Sequence, residues 1–447
     1  MACTSDQNKV EIIFGGDVLL SRNVAKEIEF RKGSPFKHLQ QRLNNVDLFS
    51  ANLEGVMGSC GDSSYCISHP PVFAISPENL KYLQLGNKNC FSLENNHSSD
   101  LGQLNKKRTM VALNQMGIGT ITKEYSPHFF SIKGVTIGIV AVNLIKNRSG
   151  MVDTIPDLKI QQKIALAKTL ANLCIVTIHW GSELSEWPNN QQRLMAKWII
   201  AAGADVIIGS HPHVIQKPEL VENKPVFFSL GNLLFDQKYE ATKKGMLIKL
   251  SIDRDQVSFT GIYTHTSKNS FFPTIVDSIP YNFTIKTHPI IEINGVELKP
   301  KNIFDSTKYT VVLNGTKDNQ VQWESQKIDL VSLFKADLKD GQNSLVMVEK
   351  HYSPIDKEVN LRPYVYQVTK NGLNAKWRGS ALSWPLLDLK VCGRDNCIIH
   401  AVHRGDAFIN LNPSNKSKRL YSYRWNGFGY RGLKDSISCS YCNFGIE

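Results

Sequence analysis

The chain has 447 residues, 42% of them hydrophobic and 21% charged. That length exceeds one ordinary core and predicts two or three domains, and the composition excludes a disordered or fibrous protein. No stretch approaches the roughly 18 consecutive apolar residues of a membrane-spanning helix. Lysine and arginine outnumber acidic residues 52 to 40, a net charge of +12 that favours an anionic partner or surface, with an evenly solvated basic surface as the alternative. Aromatic and basic residues are not read as an interleaved run, so nucleic acid is not the expected partner.

In chain order, the start MACTS places a small residue before Cys3, as in what remains of a bacterial lipoprotein signal once its apolar stretch is removed. Export to the cell envelope, lipoprotein or periplasmic, is therefore expected, although no signal peptide stands in this sequence; Cys3 would be its one link to a membrane. The first 250 residues then alternate strands and helices. VEIIFGGD (10–17), VTIGIVAVN (135–143), NLCIVTIHW (172–180), ADVIIGSH (204–211) and PVFFSLGN (225–232) are apolar almost throughout, as strands are when helices cover both faces of a sheet. NQQRLMAKWIIAAG (190–203) has helical spacing and a stop at Gly203.

After about residue 255 the texture becomes all-β. Short alternating runs (290–299, 308–323, 343–352, 362–368 and 397–411) lie between turn signals. Tyr364-Val-Tyr366 leading to Trp377-Arg-Gly379 recurs loosely as Tyr421-Ser-Tyr423 leading to Tyr430-Arg-Gly432, which suggests repeated, blade-like β units. The stretch from Asp337 to Gly341 has too few acids for a calcium loop and reads as a turn. The expected division is an α/β domain over 9–255, a β-rich linker or small β domain over 256–330, and a β-rich repeat-like domain over 331–447.

There are nine cysteines. The close pairs Cys60/Cys66, Cys392/Cys397 and Cys439/Cys442 suit local disulfides in an oxidising compartment, with a zinc site as the competing reading. Cys90 and Cys174 lie in apolar runs and read as plain buried residues.

The chemistry concentrates at strand ends, where open α/β sheets bind ligands. FGGD supplies Asp17; NLEG supplies Asn52 and Glu54; SLENNHSSD supplies Asn95, Asn96, His97 and Asp100. HWGSE adds His179 and Glu183, GSHPHV adds His211 and His213, and SLGN adds Asn232. Carboxylate, amide and imidazole together suit one or two divalent ions such as manganese, zinc or iron. A lone histidine would more often be structural, but these ends each carry a candidate ligand in order. Trp180 and Trp187 read as wall or core residues, Asp236 as a surface or capping residue, and the glycines of FGGD as permitting a tight turn.

GD, NLEG, SLENNHSSD, HWGSE, GADVIIGSHPHV and SLGN, in that order over about residues 9–250, resemble the CapA-type capsule-synthesis family, associated with poly-γ-glutamate capsules. That family lies in the metallo-dependent phosphatase-like, or calcineurin-like, superfamily. The resemblance implies an α+β four-layer metallophosphatase-like sandwich holding two metals. Residue by residue it implies Asp17, Glu54 as the bridging acid, Asn96, His179, His211 and His213 as ligands. It makes His97, beside Asn96, the residue that contacts the reacting group. Asp100 and Glu183 suit partners that orient the imidazoles, and Asn232 a further support behind the ligands.

The superfamily's Asp-x-His becomes Asp17-Val18-Leu19 here, one imidazole short. The implied function is capsule biosynthesis by a metal-dependent hydrolase or phosphoesterase, with an anionic polymer or a phosphate-containing small molecule as substrate. Capsule-synthesis machinery is the implied protein partner. The alternative is a non-catalytic polymer-binding or assembly component that keeps the fold.

Overall fold

The computed structural model describes residues 9–59, 71–148, 150, 152–304, 310–353, 358–379, 382, 386–391, 398–404 and 418–433. Cys3 and the three close cysteine pairs lie outside them; Cys90 and Cys174 are buried free thiols. The chain divides into two compact units, Met1–His288 and Pro289–Glu447.

In the first unit, the strand Val10–Val18 runs parallel to Leu48–Leu53, which continues through Lys88–Ser92 to Ile118–Ile121. On its other side it meets Lys244–Asp253 antiparallel, followed by Gln256–His265 and Thr274–Lys286. A second sheet runs in the order Glu219–Val221, Lys224–Phe227, Val206–Ser210, Leu173–His179, Val135–Asn143, His128–Ile132.

Alternation along each strand sorts the side chains into layers. Ile12 and Phe14 face a core shared with Ile137, Ile175, Val206 and Ile208 of the second sheet. Ile13, Phe49 and Phe91 point the other way, onto Val24 and Ile28 of the helix Arg22–Arg31 and Met110 and Leu113 of Gln103–Gln115. Val140, Val176 and Ile207 likewise meet Ile160 and Ile164 of the helix Leu158–Leu170, and Ala196 and Ile199 of Asn190–Ala201. The layers run helix, sheet, sheet, helix. The helix Asn190–Ala201 begins with a capping box in which Asn189 Oδ1 accepts from Gln192 N–H at 2.8 Å and Gln192 Oε1 accepts from Asn189 N–H at 3.0 Å.

The first unit extends to His288 rather than stopping at 255. Gln256–His265 alternates buried and exposed positions because one face lies on the core, and it pairs along its whole length with Lys244–Asp253. That alternation resembles the β region beyond it, which hides the boundary from local pattern.

Among the described residues the second unit has only β structure, with a four-stranded sheet over 292–324 and an eight-stranded sheet over 330–432. The two tyrosine–glycine copies are hairpins of this larger sheet, Glu358–Thr369 with Gly372–Arg378 and Lys418–Trp425 with Tyr430–Gly432, and not separate blades. Asp337–Gly341 is a turn, with Lys339 N–H donating to Asp337 Oδ1 at 2.9 Å. Contrary to the reading of the sequence, basic and aromatic residues do interleave in one run, KRLYSYRWNGFGYR over 418–431.

Candidate metal centre

The first strand ends beside two neighbours at once. Asp17 is in register with Asn52 on one side and Asn232 on the other. A Cβ on Gly16 would sit 1.9 Å from Gly231 O, so glycine is needed for close approach of two backbones rather than for a turn. That approach lets Asp17 N–H donate to Gly231 O at 3.0 Å and fixes the carboxylate at the rim.

Asn52 organises the centre. Its Nδ2 donates to Asp17 Oδ1 at 2.7 Å and to Glu54 Oε1 at 3.3 Å, and lies 3.3 Å from His179 Nδ1. Its Oδ1 accepts from Asn95 Nδ2 at 3.0 Å, so Asn95 supports the site from behind. Asp17, Glu54 and His179, all buried, bring one ligand atom each within 4.8 Å of one another.

The histidines arrive from the second sheet. His179 ends its strand in register with Ser210, whose Oγ lies 2.9 Å from His179 Nδ1. His179 Nε2 is 2.8 Å from Asn96 Oδ1 and 3.9 Å from Glu54 Oε1. His211 and His213 follow, both with left-handed backbones (φ 97° and 60°), a conformation costly for a side-chain-bearing residue and frequent at functional sites. The rings of His179 and His211 lie 4.7 Å apart, and His211 N–H donates to Asp17 Oδ2 at 3.2 Å. His213 Nδ1 lies 3.3 Å from Asp17 Oδ2 and 2.9 Å from Asn232 Oδ1, and Asn232 Nδ2 donates to Thr242 O at 3.1 Å.

The proton affinities follow from this crowding. Burial, then the adjacent Asp17 charge, pushes Glu54 well above the usual carboxylate range. Asp17 feels the same burial, but the hydrogen bond and charge of His213 outweigh it and hold Asp17 low. Burial lowers His213 too, yet Glu54 and Asp17 overcome it and raise the imidazole to about 10. Burial, then the neighbouring imidazoles, keeps His179 neutral and brings His211 down to about 4.

These groups fit a divalent cation. Glu54 Oε2 and His211 Nδ1 are buried without a hydrogen-bond partner, an arrangement that costs free energy unless something positive or donating stands there. Two neutral imidazoles and two acids are a suitable donor set.

Beside this cluster, His97 Nδ1 lies 2.9 Å from Asp100 Oδ2, and its ring stacks on Phe73 at 3.8 Å. Arg148 Nε donates to Asp100 Oδ1 at 2.9 Å. Glu183 is exposed and makes no hydrogen bond to an imidazole among the described residues; it acts on His211 only through its charge. Leu19, two residues past Asp17, packs in the helix-side core. Trp180 is core, its Nε1 donating to Phe228 O at 2.8 Å, whereas Trp187 is exposed. Asp236 is buried and caps the helix Arg22–Arg31, accepting from Asn23 N–H at 3.3 Å.

Fold and cluster together define an α/β protein with a buried carboxylate–imidazole centre at the carboxyl ends of two facing sheets. Residues 11–237 match the family model for the bacterial capsule synthesis protein PGA_cap, and the chain belongs to that family. The capsule biosynthesis protein CapA of Bacillus anthracis is 30% identical over 265 residues, covering 55% of this chain and 64% of that protein. The PGA biosynthesis protein CapA of Bacillus subtilis (strain 168) is 28% identical over 260 residues, 54% of this chain and 67% of that protein. The matched stretch thus spans about two-thirds of either relative. A Vps29 structure from Entamoeba histolytica aligns over 61% of this chain and 100% of its own at 11% identity, with a TM-score of 0.27 that carries no weight. No helix among the described residues is long and apolar enough to cross a membrane.

Proposed function

We propose that the first unit is a metallophosphatase-like hydrolase domain acting in capsule assembly at the cell envelope, on an anionic polymer or a phosphate-containing precursor. The carrying observation is the convergence of Asp17, Glu54 and His179, with Glu54 Oε2 buried and unpartnered. Asp17, Glu54, Asn96, His179, His211 and His213 would hold the cation or cation pair. When bound, it supplies Lewis acidity and charge neutralisation at a phosphate, ester or amide centre. Asn52 and Asn95 hold the acids in place, and Ser210 and Asn232 orient the His179 and His213 rings. His97 has Nδ1 engaged with Asp100, which leaves Nε2 as the nitrogen that can give a proton to a leaving oxygen.

The capsule relatives support the setting, and the net charge of +12 fits an anionic polymer. Lipid anchorage at Cys3 is part of the same proposal. The second reading, a polymer-binding assembly component that keeps the fold, is favoured by Leu19 in the core and by the close contact of His213 with Asp17.

Hydrolysis of bis(p-nitrophenyl) phosphate by manganese-loaded protein separates the two. The hydrolase reading expects turnover that drops about 100-fold or more in His97→Ala. Manganese-loaded protein without turnover supports the assembly reading instead.

A further inference from the structure

We propose that Arg22 is the anion-binding group of this site, and that its guanidinium takes an oxyanion of the substrate, a phosphoryl or a carboxylate group, beside His97. The inference rests on the reading of the cluster as a substrate site.

Arg22 is the first residue of the helix Arg22–Arg31 and begins it with a left-handed backbone (φ 54°). Both features oppose an arginine at that position. A cation at a helix N-terminus faces the positive end of the helix dipole, and a left-handed φ penalises any side chain. Helix formation therefore gives no reason for this residue.

Its surroundings do give one. Arg22 Nε lies 3.1 Å from Asp236 Oδ2, on a carboxylate fully buried beneath it. The guanidinium carbon stands 5.2 Å from the centre of the Phe73 ring, the same ring that stacks against His97. Phe73 N–H donates at 2.8 Å to Asp100 Oδ2, the oxygen that also holds His97 Nδ1. Arg22, Phe73, His97 and Asp100 are thus one connected assembly, and Phe73 also meets Phe235, whose ring lies 4.6 Å from that of His213 beside Asp17.

The fork of Arg22 is only half used. Nε is committed to Asp236, whereas the two terminal nitrogens have no acceptor among the described residues, and the side chain is 40% exposed. A guanidinium ion-paired through Nε and placed over an aromatic ring offers its remaining N–H edge to a ligand, which suits two oxygens of one phosphate or carboxylate. Arg148, the other arginine nearby, is spent on Asp100 Oδ1 through Nε and on Pro71 O through Nη2. Arg22 is the one positioned for a ligand.

The test measures binding to the full chain loaded with manganese, by calorimetry, with inorganic phosphate and with tri-γ-glutamate as separate probes. Arg22→Ala is expected to weaken at least one of them about tenfold or more, the worth of a charge-assisted hydrogen bond. Arg22→Lys should recover only part of that loss, since a point charge cannot reproduce the fork. A loss confined to phosphate assigns the site to phosphoryl groups; a loss confined to the oligomer assigns it to glutamyl carboxylates. Affinities for both probes unchanged in Arg22→Ala, or no binding of either by the wild type, would overturn the proposal. Should Arg22→Ala fail to fold, Arg22→Lys decides, and an affinity equal to wild type for both probes counts against it. Metal content measured on the same samples keeps the claims apart. A metal-free wild type removes the reading of the cluster, whereas a loaded wild type whose anion binding ignores Arg22 removes only this inference.

Discussion

The two ends of the strand Val206–Ser210 treat buried charge in opposite ways. At its amino end, Asp205 is surrounded by protein donors, Lys168 Nζ at 2.7 Å and Lys224 Nζ at 2.8 Å on one oxygen and Cys174 N–H at 3.0 Å on the other, with His288 Nε2 3.2 Å from that second oxygen. Burial alone would push this carboxyl up, but His288 and the two lysines hold it well below the usual range. At the carboxyl end, where His211 follows the strand, Glu54 is equally buried yet keeps an oxygen without a partner, and its proton affinity is raised. Both acids sit in one fold and differ in what neutralises them. The protein completes the first site by itself; in the proposed reading a ligand completes the second.

The comparison breaks most visibly under substitution. Asp205→Asn should lose about 2–3 kcal/mol in urea unfolding with chelator present, because it strands two lysines that are only partly exposed. Glu54→Gln should do the reverse and gain about 1–2 kcal/mol in the same metal-free assay, since it removes a carboxyl whose burial disfavours its ionisation and whose Oε2 has no partner. A loss of stability in Glu54→Gln would mean that this end of the strand is self-sufficient as well.

Acid unfolding sharpens the contrast by a smaller amount. A carboxyl whose folded affinity for protons is depressed gives stability that is present above its unfolded pKa of about 3.9 and is lost as pH falls. Between pH 5 and pH 3 the wild type should therefore lose about 1 kcal/mol more than Asp205→Asn. Equal acid limbs would show that Asp205 is not specially stabilised.

Much of this was legible in the sequence. The strands around 10–18, 135–143, 173–179 and 206–210 show as apolar runs because helices cover the sheets, and their polar ends mark Asp17, His179 and His211. The resemblance added the order of the motifs and drew Asn96, His97 and Asp100 together.

What stayed hidden depends on contacts distant in the chain. Gln256–His265 joins the first sheet through backbone pairing that its alternation does not encode. Asn95 and Ser210 serve as supports only because two sheet ends meet. Glu183, four residues past His179, points to solvent since the chain turns away there, with Leu184 in a left-handed conformation. Arg22 and Asp236 give no joint signal in sequence, although an arginine opening a helix against its dipole was a local clue.

The central claim is that the rim formed by Asp17, Glu54 and His179 binds a divalent cation. Elemental mass spectrometry of chelator-free protein, after equilibration with manganese or zinc, tests it most directly. At least one equivalent should be retained by wild type and by Asp205→Asn, and less than one-tenth as much by Asp17→Ala and His179→Ala. Wild type that retains no metal, or Asp17→Ala and His179→Ala variants that retain all of it, would contradict the account.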